Sequence, residues 1–326
     1  TVPTTITPWP KSEKPRLAGV SAFGLNGSNA HVIVEEAPSV WMADTGELPA
    51  PAPERSHHLL PLSGTTPSAL QAQTMQYGEY LRQQTAITFA DTCHTAATSR
   101  QHFAHRLALV ATSNIDAVKQ LTAIPQVIDH LASGAITDSR PPKVAFLFTG
   151  QGSQYVGMGR ELYATEPTFR ATLDRCDAIL QECLGRSLLE LLYPATAPEH
   201  NDLMESHPCG QAANFALECA LADLWRSWGV QPSIVLGHSL GDFAAAYTAG
   251  VLSLEDGLRL VTVRGRLMEQ ALGSMVSVLA SEAEVAPFTA QFADVTIGVI
   301  NGPRSVVISG SHENVAQVTA QLQAAG

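Results

Sequence analysis

The stretch Ile234-Val235-Leu236-Gly237-His238-Ser239-Leu240-Gly241 constrains this 326-residue chain more than any other. Its apolar start, with Val230 just upstream, predicts a buried strand, and Asp242 through Tyr247 predicts a helix. Between the two stands G-x-S-x-G. A strand, a tight turn and a helix in that order make a nucleophile elbow, whose glycines permit a strained turn that lifts the serine hydroxyl above the sheet. Ser239 is the candidate nucleophile, and an α/β fold is expected around it.

A second feature restricts the substrate. Leu254 through Met268 predicts a helix entered through Ser253 as N-cap. Helix-surface neighbours lie three and four residues apart. Those of Arg259 and Arg266 include acidic or polar groups, as expected for solvated arginines. Those of Arg264 are Leu260, Val261, Leu267 and Met268, all apolar. A guanidinium stays charged, so on an inward face it needs an anion. Two readings remain open: an ion pair with an internal carboxylate, or a bidentate clamp for a substrate carboxylate.

Upstream, Val144 through Phe148 is an apolar run after Pro141-Pro142 and predicts a strand buried on both faces. It leads into Thr149-Gly150-Gln151-Gly152-Ser153-Gln154, a glycine-rich turn whose N–H groups can converge on an anion. No Gly-Lys-Ser/Thr follows, which disfavours phosphate. An oxyanion hole is the stronger reading, pairing a donor near Gln151 with the N–H of Leu240.

These segments resemble the malonyl/acyltransferase domain of type I polyketide synthases: Phe-Thr-Gly-Gln-Gly-Ser-Gln at 148–154, Gly-His-Ser-Leu-Gly at 237–241, and Arg264 in Val-Arg-Gly-Arg-Leu-Met. Gly19 through Pro38 looks like the last strands of a ketosynthase, and the stretch from His58 to Val110 is similar to the ketosynthase–acyltransferase linker. The resemblance implies a ping-pong transfer from malonyl-CoA, through acyl-Ser239, to the phosphopantetheine thiol of an acyl carrier protein. It implies oxyanion amides at Gln151 and Leu240, a carboxylate clamp at Arg264, and pocket residues at Gln211, His238 and Asn301. No permanently bound cofactor and no metal site are implied. The adjoining ketosynthase and the rest of the acyltransferase would be partners, in a cytoplasmic parent dimerised through the ketosynthase.

Three departures from the family pattern stand out. Asp242 replaces the usual glutamate, and Ser206-His207-Pro208-Cys209-Gly210 is an atypical approach to Gln211. The family's base, a histidine in a His-Ala-Phe-His-like segment, has no counterpart before Gly326. A serine nucleophile needs such a base. His238 is more consistent with a structural role than with that of the base, because neighbouring side chains diverge in a sharp turn. His312 opens a surface helix; His57, His58, His94, His102 and His105 belong to or border the linker, and His31 to the ketosynthase tail. The sequence therefore reads as two incomplete catalytic units around an intact linker, with slow turnover expected. An α/β serine hydrolase and a non-catalytic docking piece are the competing classes.

The predicted fold class is α/β: a linker α/β unit, then an α/β-hydrolase-like acyltransferase core with an incomplete ferredoxin-like insert. The expected segments are a ketosynthase tail (1–38), linker (39–140), large acyltransferase subdomain (141–273) and small subdomain (274–326). The proline-alternating 48–53 closes the tail, and Ser139-Arg140-Pro141-Pro142 opens the transferase. Expected helices cover 67–83, 89–99, 116 onward, 166–184, 214–228, 282–292 and 313–325. The last two flank strands in a β-α-β-β-α order that begins at Met275. Nineteen Lys and Arg against thirty Asp and Glu, a net charge of −11, argue against a nucleic-acid surface. An acidic carrier would need a local basic patch. No apolar run reaches the roughly 18 residues of a membrane span. The five cysteines lack metal-ligand spacing and read as buried, reduced thiols.

Overall fold

A computed structural model describes residues 8–10, 12, 14–36, 55–84, 86–123, 131–136, 142–195, 204 and 206–326. The proline run at 48–53 and residues 139–141 lie outside the described residues. The chain divides into two compact units, Thr1–Glu54 and Arg55–Gly326.

In the first unit, β1 (Leu17–Phe23) pairs antiparallel with β2 (Asn29–Glu35), Leu17 opposite Glu35 and Phe23 opposite Asn29. Gly27, at φ 80°, makes the turn, and an Arg16–Glu36 ion pair of 2.7 Å closes the open end. Val20, Phe23, Val32 and Ile33 are exposed, so apolar side chains stand on both faces of the ribbon.

The second unit holds three hydrophobic cores. The first lies under the antiparallel sheet β3-β4-β5, formed by His58–Gly64, His105–Ala111 and Leu131–Ala135. Leu60 and Leu62 point inward while Leu59 is exposed, the period-two alternation of a one-sided sheet. Three helices border it: α1 (Pro67–Gln83), α2 (Phe89–Thr98) and α3 (Asn114–Thr122). Thr66, Thr88 and Ser113 cap them, each accepting a backbone N–H three residues on. Pro67 at the first turn costs no hydrogen bond there.

The second core is built on a parallel pair, β6 (Ala145–Phe148) and β7 (Ile234–Gly237), with Ala145 opposite Ile234 and Phe148 opposite Gly237. Around it lie α4 (Arg160–Thr165), α5 (Pro167–Leu184), α6 (Leu188–Leu192), α7 (His207–Ser227), α8 (Gly241–Thr248) and α9 (Leu254–Gln270). Phe169, Leu173, Phe215, Cys219, Leu240 and Leu258 are fully buried. The glycine faces of α9 let it approach α7 closely: a Cβ on Gly257 would stand 2.4 Å from the Phe215 ring, and one on Gly265 2.5 Å from Pro208 Cα. Arg55 ties the linker to this core, with Nη2 3.0 Å from the buried Glu166 carboxylate and the guanidinium 5.3 Å from the Trp228 ring.

Two sequence expectations need correction here. The strands β6 and β7 are not buried on both faces: Leu147 is 73% exposed, and Ile234 and Leu236 are also exposed. Helices α7 and α8 cover one side of the pair, and among the described residues nothing covers the other. The helix expected from Asn214 begins at His207, because Pro208 falls in the first turn, where proline is tolerated.

The third core belongs to β8 (Ser274–Val278), α10 (Glu282–Thr289), β9 (Thr296–Gly302), β10 (Ser305–Gly310) and α11 (His312–Ala325). The sheet is antiparallel with order β8-β10-β9. Helix α10 stops at Thr289, short of the expected Phe292. Cys93, Cys176, Cys209 and Cys219 are buried and Cys183 is half-buried. Burial pushes the Cys93 and Cys176 thiols up to about 12, which keeps them protonated and unreactive.

Candidate active site

Ser239 is the one non-glycine residue with positive φ among the described residues, at 53°. Backbone strain of this kind persists only where packing enforces it, and two glycines show how. A Cβ on Gly237 would stand 2.1 Å from Asp242 N, and one on Gly241 would stand 2.4 Å from Phe148 O. Strand, turn and helix are therefore in backbone contact, and the turn cannot relax. Leu240 follows at the N-terminus of α8, where the first N–H groups have no acceptor within the helix.

The turn after β6 lies against this elbow. A Cβ on Gly150 would meet His238 Nδ1 at 2.9 Å and His238 O at 3.1 Å. Helix α7 holds the turn from behind. Glu218 Oε1 accepts from Thr149 N (2.7 Å) and Thr149 Oγ1 (2.8 Å). Asn214 Oδ1 accepts from Ser153 Oγ (2.9 Å), and Gln211 Nε2 donates to Gln151 Oε1 (3.0 Å). His207 Nδ1 lies 2.9 Å from Gln151 Nε2. Residues 207, 211, 214 and 218 are spaced by four, three and four, so they form one stripe along the helix. The sequence reading found only Gln211 of these, because starting the helix at Asn214 hides the stripe.

Arg264 reaches the elbow from α9. Its Nη1 donates to Gln211 Oε1 at 2.7 Å, and its Nη2 donates to Ser239 Oγ at 3.3 Å. Among the described residues its partners are an amide and a hydroxyl, with no carboxylate. Among these residues the arrangement favours the second of the two readings that the sequence left open, a clamp for a substrate carboxylate. Its setting is half-buried rather than enclosed: Val261 is buried, while Leu260 and Leu267 are exposed. These leucines, with Phe243, Val263, Met268 and Ala271, line an apolar hollow beside the guanidinium. Arg259 and Arg266 lie on the exposed surface, Arg266 donating to Cys183 O at 2.7 Å.

His238 and Asn301 come together: His238 Nε2 is 2.8 Å from Asn301 Oδ1, a link between the elbow and β9. Other histidines have local partners away from Ser239. His57 contacts Ser56 (2.6 Å), His102 contacts Ala97 O (3.0 Å) and His312 contacts Ser274 (2.5 Å). His31, in the first unit, bonds to Ser21 at 2.8 Å. Among the described residues no cluster of His, Cys, Asp and Glu could hold a metal ion, and no helix is long and apolar enough to cross a membrane.

Glu218 gives the site a pH signature. Burial pushes its carboxyl from the ordinary 4.5 up to about 7, against the two Thr149 hydrogen bonds that favour the anion. The folded state thus holds this proton more tightly than the unfolded chain. Stability from this group is full below the unfolded value and falls as pH rises toward about 7. The gap corresponds to about 3 kcal/mol at about 1.4 kcal/mol per pH unit. Glu218→Gln keeps the acceptor oxygen and cannot ionise. The stability difference between variant and parent should therefore shift by about 3 kcal/mol toward the variant from about pH 4 to about pH 8. Urea melts at the two pH values check this, and a constant difference would contradict it.

With the geometry in place, comparison with known proteins decides the family. The model of the acyl transferase domain matches residues 145–326, more than half of the chain. The chain belongs to the acyl transferase domain family. A second model, of the C-terminal region of CurL-like polyketide synthases, matches residues 58–121. Polyketide synthase GfsA of Streptomyces halstedii is 38% identical over 98% of the chain, and erythronolide synthase EryA2 of Saccharopolyspora erythraea is 39% identical over 93%. The chain spans only 4% and 8% of those two proteins. The acyl transferase domain of ZmaA superposes with a TM-score of 0.74 at 34% identity, over 83% of this chain and 63% of that one. The acyl transferase domain of SpnD, solved with 2-(pent-4-yn-1-yl)malonyl, gives 0.69 at 32% identity over the same shares. This acyl transferase chain is thus a mixed α/β protein of the polyketide synthase type.

Proposed function

We propose that the chain carries the site at which a polyketide synthase loads a malonyl-type extender unit. Ser239 Oγ attacks the thioester carbonyl of malonyl-CoA. The oxyanion is held by the N–H groups of Gln151 and Leu240, the C–S bond breaks, and coenzyme A leaves as the thiol. The phosphopantetheine thiol of an acyl carrier protein then attacks acyl-Ser239, restoring the hydroxyl. In each step a base takes the attacking proton and returns it to the leaving group. The family resemblance assigns this to a histidine in a segment with no match among these residues. Arg264 holds the free carboxylate, and Gln211, His238 and Asn301 line the acyl site.

The observation that carries this reading is Arg264, which touches Ser239 and Gln211 and has no carboxylate partner among the described residues. A cation so placed beside a strained nucleophile suits an acyl group that ends in an anion. The malonyl derivative bound by the related SpnD domain supports the same substrate class. A generic serine hydrolase has no use for such an arginine.

The proposed segments are a ketosynthase tail (1–38), linker (39–140), α/β-hydrolase-like large subdomain (141–273) and ferredoxin-like small subdomain (274–326). The β8-β10-β9 order supports the last of these. Partners would be the carrier protein, the adjoining ketosynthase, through which the parent would dimerise, and the remaining acyltransferase, all in the cytoplasm. The test is burst acylation: a malonyl thioester should leave one malonyl group on Ser239, discharged by carrier protein. Steady release of free malonate without a carrier requirement would favour the hydrolase instead.

A further inference from the structure

The stripe on α7 starts one turn before Gln211, at His207, a residue with no part in the mechanism above. Its Nδ1 faces the side-chain amide of Gln151, 2.9 Å from Nε2 and 3.2 Å from Oε1. Through Gln151 and Gln211 it is joined to Arg264 by three consecutive hydrogen bonds. Such a chain works in one sense only. A guanidinium has donors and no acceptor, so Gln211 must turn Oε1 toward it. Gln211 Nε2 then faces Gln151 and needs its oxygen. Gln151 is left presenting Nε2 to His207, and the shorter of the two contacts, 2.9 Å, is a hydrogen bond when Nδ1 carries no hydrogen. A hydrogen on Nδ1 would meet Nε2 donor to donor and leave His207 only the longer contact with Oε1, which already accepts from Gln211, and so would favour turning the Gln151 amide over. An unpaired polar group in so enclosed a place is costly. Gln211 is fully buried, and the contact of Gly265 with the His207–Pro208 backbone fixes both ends of the relay together.

We propose that His207 is a positioning residue: its bare Nδ1 holds the Gln151–Gln211 relay in the direction the guanidinium requires, and so keeps Arg264 aimed at the carboxylate of the acyl group beside Ser239. The proposal rests on the clamp assigned to Arg264 under Proposed function.

The experiment measures KM and kcat for malonyl and acetyl thioesters, in the longest polypeptide that carries this chain. Three variants are compared: His207→Leu, which has no acceptor; His207→Asn, whose Oδ1 can take the place of Nδ1; and His207→Gln, whose amide extends beyond it. Losing one oriented hydrogen bond corresponds to about a tenfold change. His207→Leu and His207→Gln should therefore raise the malonyl KM about tenfold, with kcat and acetyl loading within about twofold of the parent. His207→Asn should recover most of the loss. An unchanged malonyl KM in His207→Leu, or an Asn variant no better than Leu and Gln, overturns the proposal and leaves His207 as packing. Should Leu fail to fold, the Asn–Gln contrast between two polar amides decides alone. Arg264→Ala, run alongside, separates the two levels. If it lowers the malonyl-to-acetyl ratio while the His207 variants do not, the relay is wrong and the clamp stands. If Arg264→Ala also leaves the ratio unchanged, the clamp fails and the relay proposal falls with it.

Discussion

Ser239→Ala should abolish the covalent malonyl adduct, detected by intact-mass spectrometry after brief exposure to a malonyl thioester. The side chain sits at the apex of a turn that Gly237 and Gly241 hold in a strained state. Alanine carries the same Cβ as serine and so meets the same backbone strain at φ 53°, and the fold should persist. Turnover should fall by about four orders of magnitude or more, with residual rate from binding and the oxyanion donors. An undiminished adduct on a folded Ser239→Ala protein would move the nucleophile elsewhere and remove the reason for reading the elbow as reactive.

Arg264→Ala carries the second large effect, because it separates a dicarboxylate transferase from a generic hydrolase. Two charge-assisted hydrogen bonds to a carboxylate are worth roughly 1.5–3 kcal/mol each. Their loss should lower the ratio of malonyl to acetyl loading about 100-fold or more. Acetyl offers no carboxylate and should lose little, or gain from the vacated space. Since Arg264 also donates to Gln211, thermal melting must first establish that the variant is folded. An unchanged ratio in a folded variant would reduce Arg264 to a structural support for Gln211.

How far the sequence could be read depended on whether a local rule or a distant contact governs each element. Helix α1 was legible to the residue, because Thr66 caps it and Pro67 opens it. The elbow was legible for the same reason: strand, glycine turn and helix are contiguous. Helix α7 was not. Pro208 and Gly210 look like breakers, but Pro208 occupies the first turn, and the space Gly210 leaves is filled by Met204 O, 2.5 Å from where a Cβ would be. That misplaced start hid His207 and the polar stripe below it. The burial of β6 and β7 was also overestimated, since an apolar run records what a strand can bury rather than what covers it. Arg264 was singled out by its apolar neighbours. Its actual partners, Gln211 and Ser239, lie 53 and 25 residues away in sequence and follow only from the packing of α9 on α7.

That packing has a consequence for altering which acyl units the protein accepts. The turn proposed to hold the oxyanion and the proposed carboxylate clamp, Arg264, both bond to one buried side chain of α7, that of Gln211. In the proposed site the distance between the reacting carbonyl and the anchored carboxylate is therefore set through one side chain held on a packed helix, not through a loop. A longer spacer between those two groups cannot be admitted by widening the hollow beside Met268 alone, because that leaves both anchor points where they are. Branches on the acyl chain and extensions of it should respond to different substitutions: branches to the walls on α9, and length to whatever tilts or shifts α7.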